Sequence, residues 1–312
     1  MPDIVVMFFL LGLIAGLVRS ELVIPKAAYD VLSLLLMLTI GLKGGMALYG
    51  SVSPSLVIDI IVIMAIGACI PFALFPILRY VIGLTVANSS SIAAHYGSVS
   101  AGTFAVALAY AESNGLLVGS EVTLYLVFME LPAIIVGLLL YRRFSESTQP
   151  RSMGSLWHEA FTNRSVILLL GGVIIGFMYG PLNGSGVTDL FLSAFKGVLA
   201  LFLLEMGLTA AQTLRPIPFK KWRLLLFALM APPLLSLIGI AVGLLLELEV
   251  GSIVILASLT ASASYIAAPA AIKSSIPDAD IGLAMLVSLG ITFPLNVIVG
   301  IGFYHWLIES LI

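Results

Sequence analysis

Long apolar segments alternate with short polar ones along the whole chain. A helix needs roughly 20 apolar residues to cross the hydrocarbon core of a bilayer, whereas strands of a membrane barrel are short and alternating. These long apolar segments predict an all-α integral membrane protein with ten transmembrane helices. The predicted spans are residues 4–18, 28–48, 56–78, 86–111, 121–141, 164–180, 188–213, 222–246, 251–273 and 279–308.

Small and hydroxyl-bearing residues interrupt the fourth and ninth predicted spans. The first interruption runs from His95 to Thr103, and the second runs from Ala261 to Ala271 and contains Pro269. Glycine frees the backbone, hydroxyls compete for its hydrogen bonds, and proline removes a donor. We therefore predict broken helices four and nine. Paired interruptions in two halves of a chain are typical of the midplane binding site of a secondary transporter.

Three segments of the first half recur in the second half at offsets of 162 to 166 residues. This similarity predicts two five-helix repeats, residues 1–143 and 164–312, joined by a cytoplasmic linker at residues 144–163. Because five is odd, the second repeat enters the membrane inverted. The matched segments are Ile40–Gly45 with Met206–Ala211, Ser98 and Ser100 with Ser262 and Ser264, and Pro132 with Pro294.

Basic residues divide unequally between the two sides of the predicted membrane. Twelve of the fourteen lie in the connections of one side, whereas Lys43 lies on the other side and Lys196 within a span. Positive residues are retained in the cytoplasm, which places both termini outside. The twelve are Arg19, Lys26, Arg79, Arg142, Arg143, Arg151, Arg164, Arg215, Lys220, Lys221, Arg223 and Lys273.

Composition narrows the classes of protein and site. Hydrophobic residues make up 61% of the chain and charged residues only 10%, against about 25% charged in soluble domains. The net charge of −2 and the lack of a basic domain argue against nucleic-acid binding. Three histidines and the single Cys69 form no metal-ligand spacing, so we expect no transition-metal site and no cofactor. Residues 4–18 have no basic region before them and are interpreted as a retained span, not a signal peptide.

Two broken helices in inverted repeats are expected to cross near the membrane midplane. Helix ends would then present free N–H groups and positive dipole ends to one small volume, which suits an oxygen-rich anion. The alternative is that small residues only allow helices to pack closely. The candidate hydroxyl groups belong to Ser98, Ser100, Thr103, Ser262 and Ser264.

Charged and aromatic side chains near the interruptions are further candidates. Glu130 lies in the middle of span five, where an unpaired charge is costly, so it is a candidate sodium ligand or proton carrier. Alternatively it binds a backbone N–H freed near Pro132. Glu205 in span seven has the same alternatives. His95 is a candidate proton relay, anion contact or local hydrogen-bonding group, and Tyr265 is expected to shape or cap the pocket.

Four short motifs lie in spans two, four, five and nine. They are Ile-Gly-Leu-Lys-Gly-Gly, Tyr-Gly-Ser-Val-Ser, Phe-Met-Glu-Leu-Pro-Ala and Ser-Ala-Ser-Tyr-Ile-Ala-Ala-Pro. With them the chain resembles the SbtA-type sodium-dependent bicarbonate transporter family of bacterial permeases over nearly its whole length. The resemblance implies an elevator-type transporter, in which a core of spans three to five and eight to ten moves against a gate of spans one, two, six and seven.

The resemblance also implies symport of bicarbonate with sodium as the coupling ion. It implies a multi-pass protein of the bacterial plasma (inner) membrane and a homotrimer. A PII-like cytoplasmic regulator is compatible with it, although no residue here indicates one. By motif, the resemblance implies that Ser98 and Ser264 hold the anion and that Gly97, Ser100, Thr103 and Glu130 lie near the sodium. Val99, Ser262 and Tyr265 are further candidates for the substrate site.

The chain departs from the cyanobacterial pattern at two positions and in one motif. That pattern has Asp where this chain has Tyr265 and Glu130, and Gly-Pro-Pro where this chain has Ala-Ala-Pro. Because one carboxylate is missing from the crossing, the sodium stoichiometry and the identity of the anion stay open.

The leading hypothesis is sodium-dependent symport of bicarbonate or a similar small anion into the cell. Alternatives are a proton-coupled or antiport carrier of another small anion or organic carboxylate, and a non-transporting membrane sensor or scaffold. An intramembrane serine hydrolase using His95 and Ser98 is disfavoured, since no Gly-x-Ser-x-Gly elbow or orienting carboxylate accompanies them. We therefore expect the protein not to be an enzyme.

Overall fold

A computed structural model describes residues 3–50, 54–145, 162, 164–215 and 219–312. Within these ranges all regular elements are helices, and we number the main ones α1 to α12; the short π-helix Ile77–Val81 follows α3, and the 3₁₀ turn Phe219–Lys221 precedes α9. They are α1 Ile4–Leu17, α2 Lys26–Leu48, α3 Pro54–Pro76, α4 Val86–Gly97, α5 Ala101–Ser113, α6 Val122–Phe144, α7 Arg164–Asn183, α8 Ser185–Thr213, α9 Trp222–Leu245, α10 Val250–Thr260, α11 Ala267–Ser275 and α12 Ile281–Leu311.

The helices coincide with the predicted apolar spans. Eight helical segments of the described residues are long and apolar enough to cross a membrane, and α4 with α5 counts as one of them. The other two predicted spans contain the shorter apolar helices α1 and α10. The chain is therefore an all-α, multi-pass membrane protein, while the count of ten crossings stays a prediction. Most of the predicted linker, residues 146–161 and 163, lies outside the described residues.

Both predicted helix breaks are present in the structure. Helix α4 ends at Gly97, Ser98 is extended (φ −81°, ψ 144°), and α5 begins at Ala101. The second break separates α10 from α11 across residues 261–266. Each break therefore places the start of a new helix inside an apolar region.

Four helices form two closely packed pairs, α1 with α8 and α2 with α7. Glycines make the close approach possible in both pairs. A Cβ added at Gly172 of α7 would lie 2.9 Å from the Cα of Gly41 in α2, and one added at Gly207 of α8 would lie 2.6 Å from the backbone nitrogen of Leu13 in α1. Small residues at such interfaces bring backbones into van der Waals contact, which holds helices together in lipid.

The remaining helices pack among themselves around the two breaks. Helix α6 contacts α3 and α4, α9 contacts α10, and α12 contacts α9 and α10. Helix α12 contains two π-helical segments, Leu286–Thr292 and Asn296–Gly300. We call α3–α6 with α9–α12 the break-bearing group, and α1, α2, α7 and α8 the paired group.

The contact between α2 and α7 generates a prediction with a control on the neighbouring residue. Gly172→Ala should lower the thermal unfolding temperature, because the new methyl group would press on backbone atoms of α2, and overpacking costs about 1–3 kcal/mol. Gly171→Ala should leave that temperature unchanged or raise it, because open space surrounds Gly171. Thermal unfolding of both purified variants in detergent measures the difference. Equal melting temperatures would contradict the close packing of α2 on α7.

Candidate functional site at the crossing of two broken helices

Direct hydrogen bonds join the two helix breaks. The backbone N–H of Ser264 donates to the carbonyl of His95 at 2.7 Å and to that of Ser98 at 3.2 Å. In the opposite direction, the backbone N–H of Ser100 donates to Oγ of Ser262 at 2.9 Å. Backbone groups released by one break are thus satisfied by the other. The crossing predicted from the sequence is present in the structure.

Hydroxyl groups of the breaks also cap the helices that follow them. Oγ of Ser100 accepts from the N–H and the hydroxyl of Thr103, both at 3.0 Å. Oγ of Ser264 accepts from the N–H of Ala268 at 3.1 Å. Such capping satisfies donors that the first turn of a helix leaves open. The starts of α5 and α11 are therefore fixed next to the crossing.

An asparagine that the sequence analysis did not select holds the second break from outside. The side-chain amide of Asn296 donates to the carbonyl of Ala261 at 2.8 Å, and the Tyr304 hydroxyl donates to Oδ1 of Asn296 at 2.7 Å. Asn296 is fully buried in an apolar span. A buried amide needs partners, so an isolated Asn in such a span was the signal that could have identified this support.

A small cavity of about 10 Å³, with room for about one water molecule, lies at the crossing. Leu169 of α7 contributes to its wall, so the cavity lies at the boundary between the break-bearing and paired groups. The sequence analysis did not select Ala101, Leu169 or Ile266, whose side chains carry no polar group. The selected residues that line the cavity are Val99, Ser100, Glu130, Ser264 and Tyr265.

Four other candidates lie beside the cavity and not on its wall. Gly97 lies against α3 and α6, where an added Cβ would be 2.9 Å from Cβ of Ala133. Thr103 and Ser262 have side-chain hydrogen bonds within the breaks. Oγ of Ser98 is buried and has no hydrogen-bond partner among the described residues. Direct contact of these four with substrate or sodium stays a prediction.

Glu130 brings a carboxylate to the cavity. Its side chain is only 5% exposed, and within the described ranges it has no hydrogen-bond or ion-pair partner. This finding contradicts the alternative that the carboxylate binds a freed backbone N–H near Pro132. An isolated carboxylate in a membrane interior is costly unless a cation or proton joins it. The geometry therefore favours a ligand for Glu130.

Tyr265 forms a rigid part of the cavity wall. Its ring packs edge to face on Phe293, with 5.2 Å between ring centroids. Its hydroxyl lies against the Cα of Gly102 and makes no hydrogen bond of normal geometry within the described part of the chain. Only a residue without a side chain fits opposite this hydroxyl. Tyr265 thus narrows the cavity, while its contact with a bound substrate stays a prediction.

The other titratable candidates have local partners. Nδ1 of His95 donates to the carbonyl of Ser91 at 2.7 Å. Neither Nε2 of His95 nor Oγ of Ser98 has a partner in the described residues, so they do not form the hydrogen-bonded pair that a hydrolase would need. Oε1 of Glu205 accepts from Thr209 at 3.1 Å, and Glu205 does not line the cavity. The described residues hold no group of three His, Cys, Asp or Glu side chains suited to a metal ion.

Comparison of the chain with known proteins identifies its family. No curated protein sequence matches the chain. A family model described as the Na+-dependent bicarbonate transporter superfamily matches residues 4–309. The match includes both breaks, Glu130 and all four helices of the paired group. The chain therefore belongs to the Na+-dependent bicarbonate transporter superfamily, a family of transporters and not of enzymes.

Proposed function

We propose that the protein is a secondary active transporter that carries bicarbonate, or a similar small anion, into the cell together with sodium. The observation that carries this proposal is the cavity at the crossing, where two helix starts and the Glu130 carboxylate meet. Membership of the superfamily supports sodium dependence and the class of substrate.

The anion is assigned to the starts of α5 and α11. Ala101 and Ile266, next to these starts, line the cavity. The first N–H groups of a helix have no acceptor within the helix and carry the positive end of its dipole, so they bind anions without a charged side chain. The unpartnered hydroxyl of Ser98 and the hydroxyl of Ser264 would complete the site.

Sodium is assigned to the Glu130 side of the cavity. Sodium prefers hard oxygen ligands, and unwound backbone supplies carbonyls next to the hydroxyl of Ser100. Thr103 donates to that hydroxyl and orients it. Gly97, at the end of α4, would supply backbone oxygen. A cation beside Glu130 would also offset the cost of burying the charge of this carboxylate. The empty and sodium-loaded states of the protein would therefore differ in energy.

Movement of one helix group against the other is proposed for the transport step. Space for about one water is too small for bicarbonate, which has four non-hydrogen atoms, so the wall formed by Leu169 must separate from the crossing. The pairing of α1 with α8 and of α2 with α7 also fits inverted repeats, because exchanging the repeats converts one pair into the other. The break-bearing group would be the elevator core and the paired group its gate.

Proton coupling is the second candidate for the driving ion. It is favoured by the isolation of Glu130, since a buried carboxylate without a counter-charge can bind a proton in place of sodium. The same scaffold would then serve a proton-coupled or antiport carrier of another small anion or an organic carboxylate.

Location and assembly are further proposals. We place the protein in the bacterial plasma membrane with both termini outside, on the basis of its basic residues. The family resemblance supports a homotrimer and is compatible with a PII-like cytoplasmic regulator, which no residue of this chain indicates.

The function is tested by uptake into liposomes. Purified protein should take up labelled bicarbonate when an inward sodium gradient is imposed, and should take up little without one. Potassium in place of sodium is the control for ionic strength. Uptake driven equally by a proton gradient in sodium-free buffer would favour the second candidate, and absent uptake by folded protein under every gradient would contradict both.

Replacement of Glu130 by glutamine tests the role of its carboxylate in sodium binding separately from any role in folding. Glu130→Gln should raise the sodium concentration for half-maximal uptake about tenfold, because one charged ligand is lost. Glu205→Gln is the matched control, because Glu205 is a partly buried glutamate that does not line the cavity. An unchanged sodium dependence in Glu130→Gln would remove Glu130 from the sodium site.

Ion pairs provide a test of relative movement. Lys43 of α2 pairs with Glu112 of α5 and so links the two groups, whereas Arg164 and Asp30 pair within the paired group, 3.3 Å apart. In a Cys69→Ser background, a short bifunctional thiol reagent across Lys43→Cys and Glu112→Cys should abolish uptake. The same reagent across Asp30→Cys and Arg164→Cys should leave uptake intact. Full uptake after complete cross-linking of the first pair would contradict movement between the groups.

A further inference from the structure

A groove that shares no lining residue with the crossing cavity runs between the final turns of α3 and α6 and the residues just after them. Its volume is about 560 Å³, and its lining is almost entirely apolar. Phe72 and Tyr80 are 54% and 71% exposed, and Leu139 and Phe144 on the facing helix are also exposed. Aromatic and aliphatic side chains that stay exposed along a membrane-spanning surface are solvated by hydrocarbon.

One end of the groove carries a positive charge. Arg143, in the last turn of α6, lines the groove, and its guanidinium carbon lies 5.9 Å from the ring centroid of Phe144. It makes no salt bridge within the described ranges, and no acidic residue lines the groove. Arg79 does not line the groove, and its guanidinium donates to the carbonyl of Leu84 at 2.7 Å. Arg143 is thus the basic group available at the groove mouth.

We propose that this groove binds one anionic phospholipid. An acyl chain lies along Phe72 and Leu139, and the phosphate is held by Arg143, with the Tyr80 ring at headgroup level. Charge complementarity favours this occupant, because an apolar groove with a single guanidinium at its end matches a hydrocarbon chain attached to a phosphate. Guanidinium binds phosphate through paired hydrogen bonds, and basic residues near a bilayer surface favour anionic over neutral lipids.

The position of the groove connects the lipid to the break-bearing group. Helices α3 and α6 both pack on α4, where Ala94 fits against Gly137 of α6. A lipid between α3 and α6 therefore fills the outer side of the helices that support the first break. Lipid binding in this groove requires only that the protein is inserted in a membrane. It does not depend on which cation or anion binds at the crossing.

Native mass spectrometry of the full chain released from mixed micelles tests the proposal. With phosphatidylglycerol and phosphatidylcholine of identical acyl chains at equal concentration, phosphatidylglycerol should remain bound in preference. Arg143→Ala should reduce its retention about fivefold, as expected for loss of one basic contact. Lys220→Ala removes an exposed positive charge on the same predicted side outside the groove and should leave retention unchanged.

A second variant tests the apolar part of the groove without altering charge. Leu139→Trp should fill the groove and reduce retention of both lipids, while gel filtration and thermal unfolding report that the variant is folded. Equal retention of the two lipids by the unmodified protein would overturn the proposal, as would equal losses in Arg143→Ala and Lys220→Ala. A photoreactive group placed at position 139 should cross-link to lipid. Cross-linking to residues 146–161 or to a second copy of the chain, instead of lipid, would also overturn the proposal.

Discussion

The exchange of backbone hydrogen bonds between the two breaks is the constraint on which the rest of the structure depends. In a membrane interior no water satisfies the N–H and carbonyl groups that a broken helix exposes, and each unpaired group costs several kcal/mol. Here the Ser264 N–H reaches carbonyls of the first break, and the Ser100 N–H reaches a hydroxyl of the second. Neither break is stable alone. The two halves of the chain must therefore assemble around the crossing before either can hold its irregular backbone in lipid.

The same constraint explains the polarity of the site. Small residues let the two backbones approach, and their hydroxyls take over the hydrogen bonds that longer side chains would block. Ser98 Oγ and the Glu130 carboxylate have no partner among the described residues, and the starts of α5 and α11 reach the same cavity as Glu130. A buried carboxylate favours a cation, whereas the positive end of a helix dipole favours an anion. Such an arrangement suits the binding of a cation and an anion together better than the binding of either one alone.

The sequence alone predicts where the helices and their breaks lie, but it does not predict where the side chains at the breaks point. Apolar length located the spans, and the Gly, Ser and Pro content of residues 95–103 and 261–271 located the breaks, because backbone chemistry determines both. Which hydroxyl lines the cavity depends on φ and ψ in non-helical segments, so Ser100 and Ser98, both predicted, have different surroundings. The support from Asn296 depends on a π-helical segment of α12 that hydropathy does not reveal. The glycine spacing of α2 and α7 is visible in the sequence. The sequence does not show that these two helices pack on each other, because that depends on the tertiary structure.

The contact between Tyr265 and Gly102 restricts which side chains the two halves of the chain can carry at these positions. Position 102 has no space for a methyl group while position 265 carries a tyrosine whose ring is fixed against Phe293. A short acidic residue at 265 would release that space and leave a void where the ring now lies. A relative with a small side chain at 265 is therefore free to carry alanine or serine at 102. We expect these two positions, 163 residues apart, to vary as a pair across homologous carriers.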